Sequence, residues 1–149
     1  MNPTSIRLLT LDDAQHVYNE VNESRKHLQN LVWASTASRQ SVEDFLLLLV
    51  NHPDRHLYGI FHNDQFCGCI EIRDKKDSSE IGYWLWYKFR GRGILQNALI
   101  QLKKNLFFSQ HNHFTAKVKI KNIKSYTILH SIFNMEKMHQ DDVWIYLSS

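Results

Sequence analysis

The amino-acid sequence predicts a mixed α/β fold that forms one domain over residues 1–149. Three observations support this: apolar segments that alternate like strands, leucines repeated at helical spacing, and short polar turns between the two kinds of segment. A chain of 149 residues is long enough to enclose a hydrophobic core in one domain. The predicted order, β-α-α-α-β-β-β-α-β-α-β, indicates a mixed sheet with helices on both faces.

The N-terminal third of the chain predicts a strand followed by three helices. A short strand is expected at residues 6–9, and Thr10 can cap the helix that follows it, because its hydroxyl can satisfy an unpaired amide of the first turn. A second helical segment is expected at about residues 24–31. Ser41 is predicted to cap a third helix at residues 42–51.

The rest of the chain predicts a hairpin and then alternating strands and helices. Residues 62–65, His-Asn-Asp-Gln, are typical of a hairpin turn, and Asn134 is typical of a left-handed helix cap. A long helix is predicted from four leucines at helical spacing, Leu95, Leu99, Leu102 and Leu106. The other predicted elements are strands 57–61, 66–73, 80–87, 114–120 and 143–147 and helix 124–133.

A Gly-Arg-Gly turn connects the strand at residues 80–87 to the long helix. Amides at the start of a helix carry partial positive charge and can bind phosphate without a metal. Gly91 and Gly93 would allow a ligand close to the main chain, and Arg90 and Arg92 add positive charge. The sequence therefore predicts an anion site, although a tight turn without a ligand is the alternative. The glycine patterns of nucleotide hydrolases and dinucleotide-binding folds are both absent from the sequence.

Charge and cysteine content narrow the class of protein. The net charge is +3, and the lysines at positions 117, 119, 121 and 124 are interpreted as a solvated strand edge, so nucleic acid is not expected as a partner. No apolar run reaches the length of a membrane span, and no membrane partner is expected. Cys67 and Cys69 are predicted to be reduced, which favours a cytoplasmic location. They lack a second ligand pair, so no metal site is expected.

Several motifs together resemble the GNAT acetyltransferases. Residues 90–95, Arg-Gly-Arg-Gly-Ile-Leu, are similar to the family's pyrophosphate loop, Gln/Arg-x-x-Gly-x-Gly/Ala, and depart from it at Leu95. Residues 81–85, Ile-Gly-Tyr-Trp-Leu, resemble the subgroup that acetylates the N-termini of ribosomal proteins. Residues 22–28 with Trp33 and residues 41–45 also resemble that subgroup, as does the Asn-x-x-Ser of residues 122–125.

This resemblance implies a mixed, mostly antiparallel sheet flanked by helices, with the fourth and fifth strands splayed apart, and acetyl-CoA as the cosubstrate without a metal. The implied cofactor-binding groups are the backbone of three strand residues, the amides of the loop, its two arginines, and the Asn-x-x-Ser pair. They are Leu85, Trp86, Tyr87, Arg90, Gly91, Arg92, Gly93, Ile94, Leu95, Asn122 and Ser125.

Catalytic residues are also implied by the resemblance. Ser125 matches the subgroup's general acid, although it can equally serve the helix start, and Asn122 can orient the cofactor or a water. Glu80 is the expected general base, with Glu71 as its competitor and ordered water as a third route. Leu129 stands where many members of the family have a tyrosine.

The implied reaction is acetyl transfer to a primary amine, with a protein N-terminus or a small amine such as a polyamine as acceptor. The segment after residue 134 is shorter than in the family, which predicts an open acceptor site or one completed by a second subunit in a homodimer. A degenerate acyl-CoA-binding protein without turnover is the alternative from another class.

Overall fold

The computed structural model describes residues 2–24, 38–105 and 113–149, and these form seven strands, four α-helices and two 3-10 turns. The strands are β1 Thr4–Leu8, β2 Arg55–His62, β3 Gln65–Asp74, β4 Ser79–Leu85, β5 Phe114–Lys119, β6 Glu136–Gln140 and β7 Trp144–Ser148. The helices are α1 Ala14–Ser24, α2 Arg39–Val50, α3 Ile94–Asn105 and α4 Ile123–Phe133. The 3-10 turns are Leu11–Asp13 and Tyr87–Phe89.

All seven strands lie in one sheet of order β1-β2-β3-β4-β5-β7-β6. Every pairing is antiparallel except that of β4 with β5, so the predicted mixed, mostly antiparallel sheet is confirmed. The parallel pairing joins Ser79 to Phe114 and Glu80 to Thr115 and extends no further along either of these fully described strands. Beyond Glu80 the two strands are no longer paired, and we call the gap between them the cleft.

At β2 the sheet is buried on both faces. Successive side chains of a strand point to opposite faces, and the neighbours Ile60 and Phe61 are 0% and 7% exposed. Helix α2 packs against β2, and α3 packs against β1 and β2. Leu99 and Leu102 of α3 are fully buried, as their helical spacing predicted. The helices therefore flank the sheet as expected.

Two predicted turns are confirmed by their backbone angles. Asn63 and Asp64 have φ angles of 48° and 65°, which suit a tight hairpin with a right-handed strand twist. Asn134 has a φ of 56° and ends α4 in the left-handed conformation, which asparagine tolerates better than most residues.

Three predictions about helices need correction or lie outside the described residues. The residue that caps α2 is Ser38, whose side chain accepts a bond from the amide of Ser41, so the prediction of Ser41 as the cap was wrong. Ser41 bonds back to the Ser38 amide at 2.8 Å, and this reciprocal pair moves the helix start three residues earlier. The helix predicted at 24–31 and the end of the long helix fall largely or wholly at residues 25–37 and 106–112, outside the described ranges.

Strand β6 was not predicted. Its residues, Glu136–Gln140, are all exposed, and β6 lies at the edge of the sheet. Cys67 and Cys69 are both free. None of the helices among the described residues combines the length and the apolar composition that a membrane span requires.

Candidate active site

The loop between β4 and α3 has the backbone shape that its glycines predict. Gly91 and Gly93 have φ angles of 76° and 73°, a region that costs other residues energy. A Cβ atom placed on Gly91 would meet no atom within 4 Å, and one on Gly93 would meet only Gln96 Oε1, at 3.7 Å. The space above both glycines is therefore open enough to admit a ligand atom to the main chain.

The first turn of α3 supplies amides that no helical carbonyl satisfies. Asn97 donates its amide to the Gly93 carbonyl at 3.2 Å, which is the first bond of the helical ladder. The amides of Ile94, Leu95 and Gln96 come before that bond, so they have no carbonyl partner within the helix. A 12-residue helix adds its positive dipole end at the same place.

The basic side chains of the loop have different roles. Arg90 Nε donates to the carbonyl of Leu85 at 3.2 Å, so Arg90 ties the loop to the end of β4. Arg92 is exposed and makes no hydrogen bond or ion pair within the described parts of the chain. Lys88 lies 3.3 Å from Glu20 and 3.1 Å from Glu23, which anchors the preceding 3-10 turn to α1. Arg92 is thus the loop cation left available for an anion.

The cleft exposes backbone groups of β4. Ser79 donates its amide to the carbonyl of His113 at 3.0 Å, which fixes the side of β4 that faces β5. Because backbone groups alternate along a strand, the polar groups of Tyr83 and Leu85 point to the same side, beyond the last paired residue. The backbone groups of Tyr83 and the amide of Leu85 can pair with an extended ligand arm laid along the strand, while the Leu85 carbonyl already accepts from Arg90.

Trp86 does not fit the role that the resemblance gave its amide. The Trp86 amide donates to the carbonyl of Cys67 at 2.9 Å, and the carbonyl of Tyr87 accepts from the Arg90 amide at 3.2 Å. The pairing of β3 with the end of β4 thus continues one residue past the strand and consumes the Trp86 N–H. Among the three predicted strand residues, Leu85 is the one whose backbone faces the cleft.

The start of α4 holds Asn122 and Ser125. The Asn122 side chain accepts a hydrogen bond from the Ser125 amide at 3.2 Å and caps the helix. Ser125 is 7% exposed, and its side chain is hydrogen-bonded to the Tyr83 phenol. Asn122 thus orients the helix start, and the Ser125 hydroxyl lies beside the Tyr83 hydroxyl.

Tyr83 is a further candidate for the site that the sequence did not identify. Its hydroxyl lies 3.5 Å from the Ser125 carbonyl, on the face of β4 that α4 covers. Burial raises the pKa of Tyr83, and the contact with Ser125 opposes this, so the phenol stays protonated at neutral pH. The alternation of Ile81, Tyr83 and Leu85 on one face was the available signal.

The position of the family's tyrosine is occupied by Leu129, with Tyr126 and His130 nearby. Leu129 is fully buried in the core. Tyr126 stacks on His130 with ring centroids 6.2 Å apart, and His130 Nδ1 bonds to the carbonyl of Met135 at 2.9 Å. The histidine therefore fastens the turn after α4.

Both candidate bases belong to an ion-pair network. Glu80 lies 3.8 Å from Arg73 and 3.4 Å from Lys75. Glu71 binds Arg55 at 2.6 Å and lies 3.5 Å from Arg73. Glu80 and Tyr83 also project to opposite faces of β4, because side chains alternate. Because both carboxylates are already paired with two cations, water is the candidate for the immediate acceptor of the amine proton.

Other features of the surface lie away from the loop. Cavities of about 460 Å³ and 310 Å³ are found beside α2 and between α1 and the β2–β3 turn, and neither is lined by a residue of the loop. Within residues 2–24, 38–105 and 113–149, no three His, Cys, Asp or Glu side chains are grouped as metal ligands would be.

An unpaired strand edge beside a glycine loop and a helix start is the arrangement that the resemblance to acetyltransferases implies. The model of the acetyltransferase (GNAT) domain family matches residues 4–132. The chain belongs to this family and is an acyltransferase. No curated protein sequence gives a significant match.

Many solved structures share the fold at low sequence identity. A RimL ribosomal L7/L12 α-N-protein acetyltransferase solved with coenzyme A gives a TM-score of 0.86 at 17% identity, covering 100% of this chain and 94% of its own. The ribosomal-protein-S5-alanine acetyltransferase of Vibrio fischeri gives 0.82 at 18%, covering 100% and 93%. The microcin C7 self-immunity acetyltransferase MccE, solved with acetyl-CoA and AMP, gives 0.85 at 16%, covering 100% and 93%.

Proposed function

We propose that the protein transfers an acetyl group from acetyl-CoA to a primary amine, and that the acceptor is the α-amino group of a polypeptide. The observation that carries the proposal is the β4–loop–α3 arrangement. Two glycines with positive φ leave open space above the main chain, and the helix start behind them presents free amides. The neighbouring edge of β4 is unpaired beyond Glu80.

The residues present fit acetyl-CoA. The amides from Gly91 to Leu95 and the guanidinium of Arg92 would hold the pyrophosphate, with Arg90 holding the loop against Leu85. The backbone of Tyr83 and Leu85 would pair with the pantetheine arm. Acetyl-CoA supplies an activated acetyl thioester, and the chain's own groups bind it, orient it and manage the protons.

Two hydroxyls are placed to supply the proton that a departing thiolate needs. Ser125 is buried, with its hydroxyl unused by the helix, and Tyr83 lies 3.5 Å from the Ser125 carbonyl. Burial holds the pKa of Tyr83 above its usual value, which keeps the Tyr83 hydroxyl protonated at neutral pH. Asn122 positions Ser125 through the cap of α4. Glu80, held by two cations, acts through water in this proposal.

The choice of a polypeptide acceptor rests on two supports. Residues 81–85 resemble the subgroup that acetylates ribosomal proteins, and solved structures of the same fold include enzymes named for that reaction. A small amine is the second candidate, since the fold is shared with MccE, a self-immunity acetyltransferase. Cytoplasmic location and a homodimer remain predictions.

The test is a panel of acceptors assayed for thiol release with acetyl-CoA, followed by mass spectrometry of the products. Peptides with a free N-terminus are compared with the same peptides blocked at the N-terminus but carrying an internal lysine, and with spermidine. Acetylation of the free N-terminus alone supports the proposal. Spermidine acetylation supports the small-amine candidate. Coenzyme A binding without turnover on any acceptor would make the chain a binding protein and would contradict the proposal.

A further inference from the structure

One face of the sheet half formed by β5, β7 and β6 carries basic and aromatic side chains. The register places Lys117 opposite Tyr146, Lys119 opposite Trp144, and His139 opposite Tyr146. Residues opposite each other in neighbouring strands share a face, so all five side chains lie on one side of the sheet. We call Lys117, Lys119, His139, Trp144 and Tyr146 the basic platform.

The contacts within the basic platform leave its charge uncompensated. Lys117 Nζ and Lys119 Nζ lie 4.7 Å and 5.8 Å from the centre of the Trp144 ring, a cation–π arrangement that orders the lysines without neutralising them. His139 stacks on Tyr146 with ring centres 4.4 Å apart. Both lysines are exposed, and among the described residues neither forms an ion pair.

A carboxylate does lie at the rim of the basic platform, but its acceptor capacity is already used. Asp141 accepts the amides of Val143 and Trp144 at 2.8 Å and 2.7 Å and the hydroxyl of Tyr146 at 3.1 Å. These bonds hold the β6–β7 turn and lower the pKa of Asp141. Asp141 therefore shapes the turn and does not pair with Lys117 or Lys119.

The basic platform adjoins the open side of the cleft. Thr115 is paired with Glu80 across the last joined step of β4 and β5, and Lys117 and Lys119 follow Thr115 at two-residue intervals. They therefore share the face of Glu80, opposite the face where Tyr83 approaches α4. An acceptor that enters from the side opposite α4 passes over the platform.

We propose that the basic platform binds an acidic, extended segment of the polypeptide acceptor, a short distance downstream of its reactive N-terminus. Lys117 and Lys119 are about 7 Å apart along the strand, which matches carboxylates at alternate positions of an extended peptide. The aromatic rings offer a flat surface for its backbone. The identity of the acceptor as a polypeptide rests on the proposed function. The acidity of the bound segment is inferred from the charge and position of the platform. Nucleic acid is disfavoured because the basic residues form a short patch with a net chain charge of only +3.

The experiment measures binding apart from turnover. Labelled peptides share the first residues and are blocked at the N-terminus, and they differ downstream in carrying acidic, neutral or basic residues. Fluorescence anisotropy gives their affinity for the full chain and for Lys117→Glu/Lys119→Glu. The matched control is Lys76→Glu/Lys104→Glu, which changes the net charge equally at exposed lysines outside the platform.

The acidic peptide should bind the parent protein about tenfold more tightly than the neutral peptide at low salt, and the preference should shrink as salt is added. The platform variant should lose that preference, while the control variant keeps it and both retain coenzyme A affinity. Equal affinity for all peptides, or equal loss in both variants, overturns the inference. Platform-dependent binding of a single-stranded oligonucleotide in place of the acidic peptide overturns it as well. If no acceptor is acetylated but the protein still prefers the acidic peptide, the proposed function is wrong and the basic platform remains a peptide-binding surface.

Discussion

Replacement of Gly93 by alanine should weaken coenzyme A binding more than it weakens the fold. The new Cβ would lie 3.7 Å from Gln96 Oε1, an ordinary contact, so no clash opposes folding. The φ angle of 73° costs an alanine about 1–2 kcal/mol, which a folded domain tolerates. Valine is less suitable, because a β-branched side chain adds strain at positive φ.

The expected loss of affinity comes from the phosphate contact. The Cβ fills open space above the Gly93 amide and separates a phosphate from it. Loss of one hydrogen bond to a charged group costs about 1.5–3 kcal/mol, or roughly 10- to 100-fold in Kd. Isothermal titration with coenzyme A measures this loss, and chemical denaturation measures stability in the same samples.

Asn63→Ala is the matched control, because Asn63 also has a positive φ, of 48°, but lies in the β2–β3 turn. It should lose stability by up to about 1 kcal/mol and keep its coenzyme A affinity. A folded Gly93→Ala protein whose affinity equals that of the parent would refute the assignment of the loop to the pyrophosphate.

Three further predictions concern catalysis, pH and the thiols. Ser125→Ala should lower kcat by about 100-fold or less with little change in acetyl-CoA affinity. Asn122→Ala removes the α4 cap and should lower both kcat and acetyl-CoA affinity. An unchanged kcat for Ser125→Ala would leave Tyr83 or water as the proton donor. Arg7 holds the pKa of Asp13 below its usual value, mainly by hydrogen bonding. This stabilisation is therefore present above the ordinary carboxylate pKa and is lost as pH falls through the lowered one. Asp13→Asn should cost about 1 kcal/mol at pH 7, since the arginine side chain is 50% exposed. Urea melts should show this cost shrinking as pH falls below the ordinary carboxylate pKa, and a cost independent of pH would contradict the prediction. Burial raises the pKa of the Cys67 thiol to about 11 and that of the Cys69 thiol to about 12. Replacing both cysteines by alanine should therefore preserve turnover. An acetyl-cysteine trapped by mass spectrometry would contradict this prediction.

The sequence predicted the parts of the fold that depend on local patterns. The glycines at positions 91 and 93, the hairpin asparagine and the αL cap at Asn134 are each dictated by backbone angles that few residues adopt. The leucine spacing of α3 likewise reports one buried face. Such features can be predicted from sequence because their cause lies within a few residues.

The features that were missed depend on contacts between distant segments. Strand β6 has no apolar pattern because it is an exposed edge strand that pairs with β7. The amide of Trp86 donates to the carbonyl of Cys67, nineteen positions away in sequence. This bond depends on the register of β3 against β4. Tyr83 becomes a site residue only when α4 is packed beside it. Ser38 outcompetes Ser41 as a cap because two nearby serines satisfy each other.

The most direct test of the account is a crystal structure of the protein grown with coenzyme A. The account predicts the pyrophosphate within hydrogen-bonding distance of the amides between Gly91 and Leu95, and the pantetheine arm along the unpaired edge of β4 at Tyr83 and Leu85. The thiol should end beside Ser125 and Tyr83. Coenzyme A bound elsewhere, with this loop and the β4–β5 cleft empty, would contradict the account.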